Sequence, residues 1–236
     1  MPSNLDFDNF IFDLYGTLID IHTDERGADT WKKWCRFLDE KNIKHPEYRQ
    51  FGKDFFQKDS DYRIRAAESG KYDFPEIDVL DVYEELFEGY GNGRLSGETL
   101  WELSYGFRMA SRQYIRLFDG VMEFLAALKN KKKRIFLLSN AQASYTLPEL
   151  ELTGLKDVFD DIFISSDRGV MKPDPAFFNL LIEGHGLDKK RTLMIGDSLE
   201  NDVRGAMAAG VSYIWLNDDN RAEGFYVKLL DSQGVF

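Results

Sequence analysis

The sequence has only one cysteine, Cys35, among its 236 residues, so no disulfide can form within the chain. It also has no apolar run that approaches the roughly 20 residues needed to cross a bilayer as a helix. Residues 1–9 lack the basic and apolar regions of a secretory signal. Together these absences predict a cytoplasmic protein with no membrane partner.

Positive charge is also scarce. The chain has 30 lysine and arginine residues against 41 aspartate and glutamate residues, which gives a net charge of -11 and an isoelectric point of about 4.8. An acidic surface argues against an electrostatic grip on nucleic acid or on an anionic membrane. Hydrophobic residues make up 43% of the chain, which is enough for a sizeable core, and the sequence contains no internal repeat.

Residues 21–115 show apolar side chains at helical spacing and few strand-like segments. Four helical patterns are present, and the last is predicted to run over residues 100–115. The aromatic residues in these patterns are predicted to form a core rather than a cofactor site. The first three patterns contain Trp31, Trp34, Phe37 and Leu38; Phe51, Phe55 and Phe56; and Val79, Val82, Tyr83, Leu86 and Phe87.

From residue 116 onward, short strand-like runs alternate with helices. Strands are predicted at 134–138, 161–164, 192–195 and 211–215, with helices at 121–128, 173–183 and 202–209. Residues 10–13 form a fifth strand of the same kind. The pattern predicts an α/β fold, with a Rossmann-like open parallel sheet covered by helices on both faces. We therefore predict a discontinuous core, residues 1–20 and 116–236, and an all-helical cap, residues 21–115, inserted after the first strand.

Polar residues follow several of the predicted strands. Asp13 ends the first strand, Ser139 and Asn140 end the next one, Lys172 lies in a later loop, and Asp197 follows residues 193–195. Ligands of open parallel sheets bind beyond the carboxyl ends of the strands. Each residue alone has an ordinary explanation as a turn, cap or solvated residue, but their joint occurrence in this order predicts a site.

At these residues the sequence resembles the haloacid dehalogenase-like hydrolase superfamily, and the resemblance spans the whole predicted core. The helical insertion after the first motif also matches the position of the family's common cap. The matching segments are residues 12–18 (FDLYGTL), 138–140 (LSN), 171–175 (MKPDP) and 195–198 (IGDS), the last followed by Asn201-Asp202 and Gly205-Ala206.

The resemblance implies a covalent mechanism. A carboxylate can attack phosphorus or carbon and split one difficult step into two easier ones, and Asp13 is the candidate nucleophile. Lys172 and the Ser139 hydroxyl would neutralise charge on the substrate oxygens. Asn140 and Thr17 would contact the substrate, although Thr17 could equally orient Asp13 or satisfy the turn.

The resemblance also implies a magnesium ion. Magnesium prefers a few oxygen ligands and keeps several waters. The carboxylates of Asp13 and Asp197 and the main-chain carbonyl of Tyr15 would bind it, and Asp202 would support the site from behind. Alternatively, Asp197 and Asp202 are acids near a helix N-terminus, where negative charge is favourable anyway.

The sequence departs from the family's phosphatases at Tyr15. Those enzymes usually have a second aspartate two residues after the nucleophile, which protonates the leaving group and then activates water. A tyrosine with a pKa of about 10 is a poor proton donor at neutral pH. Tyrosine at this position is found in the 2-haloacid dehalogenases, whose leaving halide needs no proton, so Tyr15 remains among the catalytic candidates.

Three functions follow. The first is a magnesium-dependent phosphohydrolase that acts on a small phosphorylated metabolite through an aspartyl-phosphate on Asp13. It would favour good leaving groups or borrow an acid from the cap; His22 is the nearest candidate by sequence, although a linker residue is its more ordinary role. The second is a 2-haloacid dehalogenase, in which Arg63 or Arg65 could hold the substrate carboxylate, although surface salt bridges are their more ordinary role. The third is a regulatory protein that binds phosphate or magnesium with a degenerate site. The sequence predicts neither the oligomeric state nor a role for residues 217–236.

Overall fold

The structure, a computed structural model, describes residues 6–222 and 224–232. Its centre is a five-stranded sheet in which all neighbouring strands are parallel, with the order β5-β4-β1-β6-β7. The central strand β1 lies between two strands that come much later in the sequence, since Phe10 pairs with both Ile135 and Leu193. The strands are β1 (Asn9–Phe12), β4 (Arg134–Ser139), β5 (Asp161–Ile164), β6 (Thr192–Gly196) and β7 (Ser212–Trp215).

Helices cover both faces of this sheet, as the sequence predicted. Phe10 and Phe12 point into a hydrophobic cluster with α5 and α11, while Ile11 between them packs on the opposite face against α8 and α9. This alternation follows from the period of two along a strand. The helices of this part of the chain are α5 (Val121–Asn130), α6 (Ala143–Leu152), α7 (Ser165–Arg168), α8 (Pro175–Gly184), α9 (Arg204–Ala209), α10 (Asp218–Ala222) and α11 (Phe225–Ser232).

The segment after β1 is mainly helical and has its own hydrophobic cluster. Its aromatic residues are core residues, as predicted: the Trp34 ring stacks on Phe51 with 4.6 Å between ring centroids, and its indole N–H donates to the carbonyl of Leu103. The cluster also includes Tyr145, which belongs to α6. The helices of this segment are α1 (Ala28–Glu40), α2 (Tyr48–Glu68), α3 (Val79–Phe87) and α4 (Gly97–Ser111).

The helix predicted over residues 100–115 was wrong at its C-terminal end. Helix α4 stops at Ser111, and β3 (Arg112–Leu117) pairs antiparallel with β2 (Ile19–Thr23). Residues 112–117 alternate in character, with Ile115 packed toward the core and Tyr114 exposed. A period of two favours a strand once a partner strand is available, so pairing with β2 overrides the helical pattern.

The predicted boundaries at residues 20 and 116 both fall in this two-stranded ribbon, and the division into core and cap stays a prediction. Residues 1–5, 223 and 233–236 of the predicted core, including the end of the 217–236 segment, lie outside the described residues. Helix α11 closes one face of the sheet with Phe225, Tyr226, Leu229 and Leu230. Within residues 6–222 and 224–232, no helix is both long and apolar enough to span a membrane.

Candidate active site

The sheet brings three of the predicted site residues to one edge. Asp13 follows β1, Ser139 ends β4, and Asp197 follows β6. These strands are neighbours, because β1 lies between β4 and β6. The backbone N–H of Asp13 donates to the carbonyl of Ile195 at 3.0 Å, which continues the pairing to the end of the strand. The carboxyl ends of the strands thus meet as the sequence predicted.

Lys172 reaches this edge from the loop before α8 and is buried. Its ammonium group lies 2.6 Å from Oδ1 of Asp13 and 2.6 Å from Oδ1 of Asp202. The Asn140 carboxamide holds the lysine's main chain on both sides: its Nδ2 donates to the Lys172 carbonyl and its Oδ1 accepts from the Lys172 N–H, both at 2.8 Å. Lys172 is therefore not a solvated lysine, and Asn140 contacts its backbone.

The three aspartates form one cluster. Asp13, Asp197 and Asp202 each offer an oxygen within 4.8 Å of the others. The Thr17 hydroxyl donates to Oδ1 of Asp197 at 3.2 Å, a contact that was not among the roles predicted for Thr17. Asp202 also accepts from the backbone N–H of Ser198 at 2.9 Å, inside a single helical turn (Leu199–Val203).

Two glycines allow the carboxylates to approach the backbone. Gly16 has a φ of +83°, and a Cβ there would lie 2.4 Å from Oδ2 of Asp197. At Gly196 a Cβ would lie 2.3 Å from Oδ2 of Asp202. Glycine accepts a positive φ and leaves space for a close neighbour, so both positions fit the cluster.

Negative charge exceeds positive charge in this cluster. Burial raises the pKa of Asp13 to about 7; Lys172 opposes this rise, while the Asp202 and Asp197 carboxylates add to it. Burial and the neighbouring Asp202 also raise the pKa of Asp197. The buried Lys172 ammonium contacts Asp13 and Asp202, and the Arg221 guanidinium lies 3.6 Å from Asp197. A set of crowded oxygen donors suits a small divalent cation such as Mg²⁺.

Ser139 ends β4, the strand next to β1, and is 1% exposed. Within the described part of the chain, its hydroxyl has no hydrogen-bond partner. A buried hydroxyl without a partner is costly and calls for an explanation. A bound oxygen acceptor would supply one.

The Tyr15 hydroxyl is hydrogen-bonded within the protein and is not suited to proton transfer. Its hydroxyl donates to Oε2 of Glu149 at 2.5 Å and approaches Oγ1 of Thr146 at 3.2 Å. Burial and the negative charge of Glu149 raise the pKa of Tyr15 well above its ordinary value, although the Arg108 guanidinium opposes them. Since an acid catalyst near neutral pH needs a lowered pKa here, the phenol is unsuited to that role. Among the described residues, no backbone N–H that closes this turn donates to the Tyr15 carbonyl.

The other sequence candidates lie elsewhere. His22 is exposed in β2 and stacks on Tyr114, with 6.0 Å between the ring centroids. Arg63 pairs with Asp59 and Glu76. Arg65 lies 3.7 Å from Glu85 and stacks over Tyr62. The two arginines therefore make the surface salt bridges that we considered their ordinary role.

Sequence reasoning missed four residues that contact the loop of Asp13. Arg221 donates to the carbonyl of Gly16 at 2.5 Å, and the Tyr226 hydroxyl donates to the carbonyl of Thr17 at 3.1 Å. Glu149 and Arg108 surround Tyr15. None of the four lies in a motif, and only their position in the fold reveals them.

The fold is a parallel α/β sheet with a carboxylate and lysine cluster at the carboxyl ends of its strands, and comparison with known proteins gives the class and the family. A family model described as haloacid dehalogenase-like hydrolase matches residues 7–210. The protein belongs to the haloacid dehalogenase-like hydrolases, as its motifs predicted.

Individual relatives match a smaller part of the chain than the family model does. The chain is 33% identical to pyrimidine 5'-nucleotidase YjjG of Escherichia coli over 148 residues, which is 62% of this chain and 64% of that protein. It is 30% identical to the HAD-hydrolase YfnB of Bacillus subtilis over 159 residues, which is 66% of this chain and 64% of that protein. The matches thus span slightly less than two thirds of these relatives.

Solved structures agree on the fold. Magnesium-bound YfnB matches with a TM-score of 0.51 and 25% identity, covering 89% of this chain and 88% of that one. A 2-haloacid dehalogenase from Pseudomonas syringae pv. tomato matches with a TM-score of 0.58 and 22% identity, covering 89% and 86%. A magnesium-bound hydrolase and a dehalogenase therefore both have folds similar to this one.

Proposed function

We propose that the protein is a magnesium-dependent phosphohydrolase that acts on a small phosphorylated metabolite through an aspartyl-phosphate on Asp13. The observation that carries this proposal is the buried contact of one lysine with two carboxylates at the sheet edge: Lys172 with Asp13 and Asp202, and Asp197 close by. The E. coli relative is described as a pyrimidine 5'-nucleotidase, so pyrimidine nucleoside monophosphates belong among the first substrates to test.

Asp13, Lys172 and Ser139 have different roles in the proposed reaction. Oδ1 of Asp13 is bound to Lys172, which leaves its second oxygen to attack phosphorus while the bond to the leaving oxygen breaks. The Lys172 ammonium and the Ser139 hydroxyl then stabilise negative charge on the nonbridging oxygens. Water attacks the resulting acyl phosphate, which releases phosphate and restores the Asp13 carboxylate.

A magnesium ion fits the donor set. The carboxylates of Asp13 and Asp197 and the carbonyl of Tyr15 would hold it, with Thr17 fixing Asp197 through the 3.2 Å hydrogen bond. When bound, the ion supplies positive charge that offsets the crowded carboxylates and the phosphoryl oxygens. Asp202, which contacts Lys172 and the Ser198 N–H, would orient the lysine rather than bind the ion.

The missing acid predicts a preference among substrates. The Tyr15 hydroxyl is committed to Glu149, and His22 is exposed on the ribbon. With neither group available to protonate the departing oxygen, hydrolysis should be fastest for acyl phosphates and activated aryl phosphates, whose leaving groups need little proton assistance. Equal rates across a series of leaving groups would contradict this preference.

A second candidate, 2-haloacid dehalogenation, is favoured by one observation, the tyrosine two residues after Asp13. In that reaction Asp13 would attack carbon and displace halide. A carboxylate at Asp197 near Asp13 argues against it, because two carboxylates would repel a substrate carboxylate unless a cation intervened. Arg63 and Arg65, the candidates for holding that carboxylate, are paired with acidic residues.

The deciding experiment measures phosphate and halide release in parallel, with magnesium or with a chelator, for the native protein and for Asp13→Asn. We expect phosphate release that requires magnesium and falls by about a thousandfold or more in Asp13→Asn. Asp20→Asn is the matched control, because Asp20 lies on the ribbon and contacts Arg116 and Tyr114. Undiminished activity in Asp13→Asn would rule out the covalent mechanism.

The same assay separates the alternatives. Halide release that persists with the chelator would favour the dehalogenase. A protein that binds magnesium and a phosphate analogue but hydrolyses no member of a broad panel would be the regulatory protein with a degenerate site. A cytoplasmic location and the absence of a nucleic-acid partner remain expectations from composition.

A further inference from the structure

Glu149 is a fully buried carboxylate that the proposed chemistry does not use. It lies on α6, and both of its oxygens are bound. Nε and Nη2 of Arg108 donate to Oε1 and Oε2 at 2.9 and 3.2 Å, and Nη1 of Arg112 donates to Oε1 at 3.1 Å. The Tyr15 hydroxyl donates to Oε2. Four donors thus converge on one side chain.

The charges of this group are balanced. Arg108 is 7% exposed and also donates from Nη1 to Glu25 at 3.2 Å. Two arginines therefore face two glutamates, which offsets much of the desolvation cost of burying Glu149. Glu149 is fully buried and both of its oxygens accept from arginine N–H groups, so these contacts have a defined geometry rather than the variable pairing of surface ions.

The group joins three parts of the fold. Arg108 is on the last turn of α4, Glu149 is on α6, and Tyr15 is in the turn that carries Asp13. The Arg108 guanidinium also lies over the Tyr15 ring, 5.3 Å from its centroid. The side chains of Arg108 and Glu149 thereby connect the helices of the insertion to Tyr15. The main-chain carbonyl of Tyr15 is one of the ligands in the proposed metal site.

Helix α4 is held on α6 at a second point. The Ser104 and Ser144 hydroxyls lie 2.7 Å apart, and both residues are buried. Tyr83 of α3 makes a further contact, with its hydroxyl 3.0 Å from that of Tyr145. Arg108 cannot shift relative to Glu149 without disturbing these contacts, so the position of the insertion is transmitted to Tyr15.

We propose that Tyr15 is a positioning residue that fixes the loop of Asp13 to the helical insertion through Glu149 and Arg108. In the family's phosphatases this position carries an acid; here its side chain orients the nucleophile and its own carbonyl instead. The inference rests on the proposed function for its kinetic consequences, while its structural consequence can be measured without turnover.

The kinetic test compares Tyr15→Phe, which removes only the hydroxyl, with Glu149→Gln and with the double variant. The substrates are aryl phosphates whose leaving groups differ in pKa, with magnesium present. We expect kcat of Tyr15→Phe to fall about tenfold or more by misplacement of the nucleophile. The loss should be the same for every leaving group, with KM and the shape of the pH profile unchanged. The double variant should lose less than the product of the two single losses.

Tyr114→Phe is the matched control, because Tyr114 also donates its hydroxyl to a carboxylate, that of Asp20, but lies exposed on the ribbon. Its kcat should equal that of the native protein. A loss in Tyr15→Phe that grows with the pKa of the leaving group would identify Tyr15 as the acid and overturn the inference. An unchanged kcat with a lowered melting temperature would also overturn it, since the contact would then serve stability alone.

Backbone amide exchange gives a second readout that needs no activity. The N–H groups of Gly16, Leu18 and Ile19 close the turn after Asp13 through hydrogen bonds of 2.8, 2.8 and 2.9 Å. We expect their exchange to accelerate in Tyr15→Phe and equally in Arg108→Lys. Unchanged exchange in Arg108→Lys would overturn the inference. If the native protein released no phosphate, the proposed function would be wrong. Amide exchange would still decide the role of Tyr15, because it needs no turnover.

Discussion

Among the individual residues, Asp13 has an unusually high pKa for a carboxyl group. Burial raises its pKa from 3.8 to about 7, so between these values the folded protein binds a proton that the unfolded chain releases. The free energy of unfolding of the metal-free protein should therefore fall as pH rises from about 4 to about 7. A cation binds the ionised form of the Asp13 carboxyl group. Without a cation, burial disfavours this ionised form.

This gives a prediction for magnesium. The increase in melting temperature caused by magnesium should be larger at about pH 8 than at about pH 5, because at the lower pH a proton competes for Asp13. Thermal unfolding with magnesium or with a chelator at both pH values measures it. Asp13→Asn is the control and should lose most of this pH dependence. Equal increases at the two pH values would contradict the assignment of Asp13 as a ligand.

The residues at the sheet edge were predictable because they depend on local pattern and one topological rule. Asp13, Ser139 and Asp197 each end a short apolar run, and the carboxyl ends of parallel strands meet. The partner of Tyr15 was not predictable. Glu149 lies 134 residues away, inside a helical segment where an acid is normally solvated. Only the packing of α4 and the start of β3 on α6 gives it a buried position and two arginines.

At the scale of the element, Asp174 joins two segments. It is the N-cap of α8, where its Oδ1 accepts from the N–H of Ala176 at 2.9 Å. Its Oδ2 accepts from the N–H groups of Asp73 and Phe74 at 3.0 and 3.3 Å. One carboxylate therefore begins the helix after Lys172 and fixes the segment that leads to α3.

Asp174→Ala should lower the free energy of unfolding by about 1–2 kcal/mol through loss of the cap, with an additional loss for the two freed N–H groups. Asp174→Asn keeps an oxygen for the cap and should cost less. Denaturant unfolding of both variants measures the difference. Equal losses in the two variants would show that capping contributes nothing here.

The C-terminal end of α4 was not predictable from the sequence. Residues 112–115 fit the apolar spacing of α4 as well as the alternation of a strand, so the local pattern alone does not end the helix at Ser111. The ribbon exists because Ile19–Thr23 provides a partner strand, a contact between distant segments. Tertiary pairing decides such ambiguous ends, whereas helices α1 and α3 were recognisable from their strong apolar period alone.

At the scale of the whole molecule, the insertion and the sheet share a helix. Tyr145 of α6 lies in the aromatic cluster of the insertion, while Leu150 of the same helix lies in the cluster beside the sheet. A shared element should make unfolding cooperative across both parts. We expect one calorimetric transition for the native protein.

Tyr145→Ala should cost about 3–5 kcal/mol, by analogy with other large aromatic truncations in cores, and should separate the transition into two. Tyr145→Phe loses only the hydroxyl contact with Tyr83 and should keep one transition at a slightly lower temperature. Differential scanning calorimetry measures both. Two transitions in the native protein would contradict the coupling.

The position of β1 at the centre of the sheet has a consequence for synthesis on the ribosome. Its residues are all buried in the folded protein, yet they emerge before the other strands of the sheet, and both neighbouring strands emerge only after the helical insertion is complete. During this interval the apolar segment at residues 9–12 has no partner strand, and such segments are prone to association. The aromatic side chains of the insertion can already pack together during this interval. Chaperone dependence of the nascent chain should therefore end only when β6 has been made.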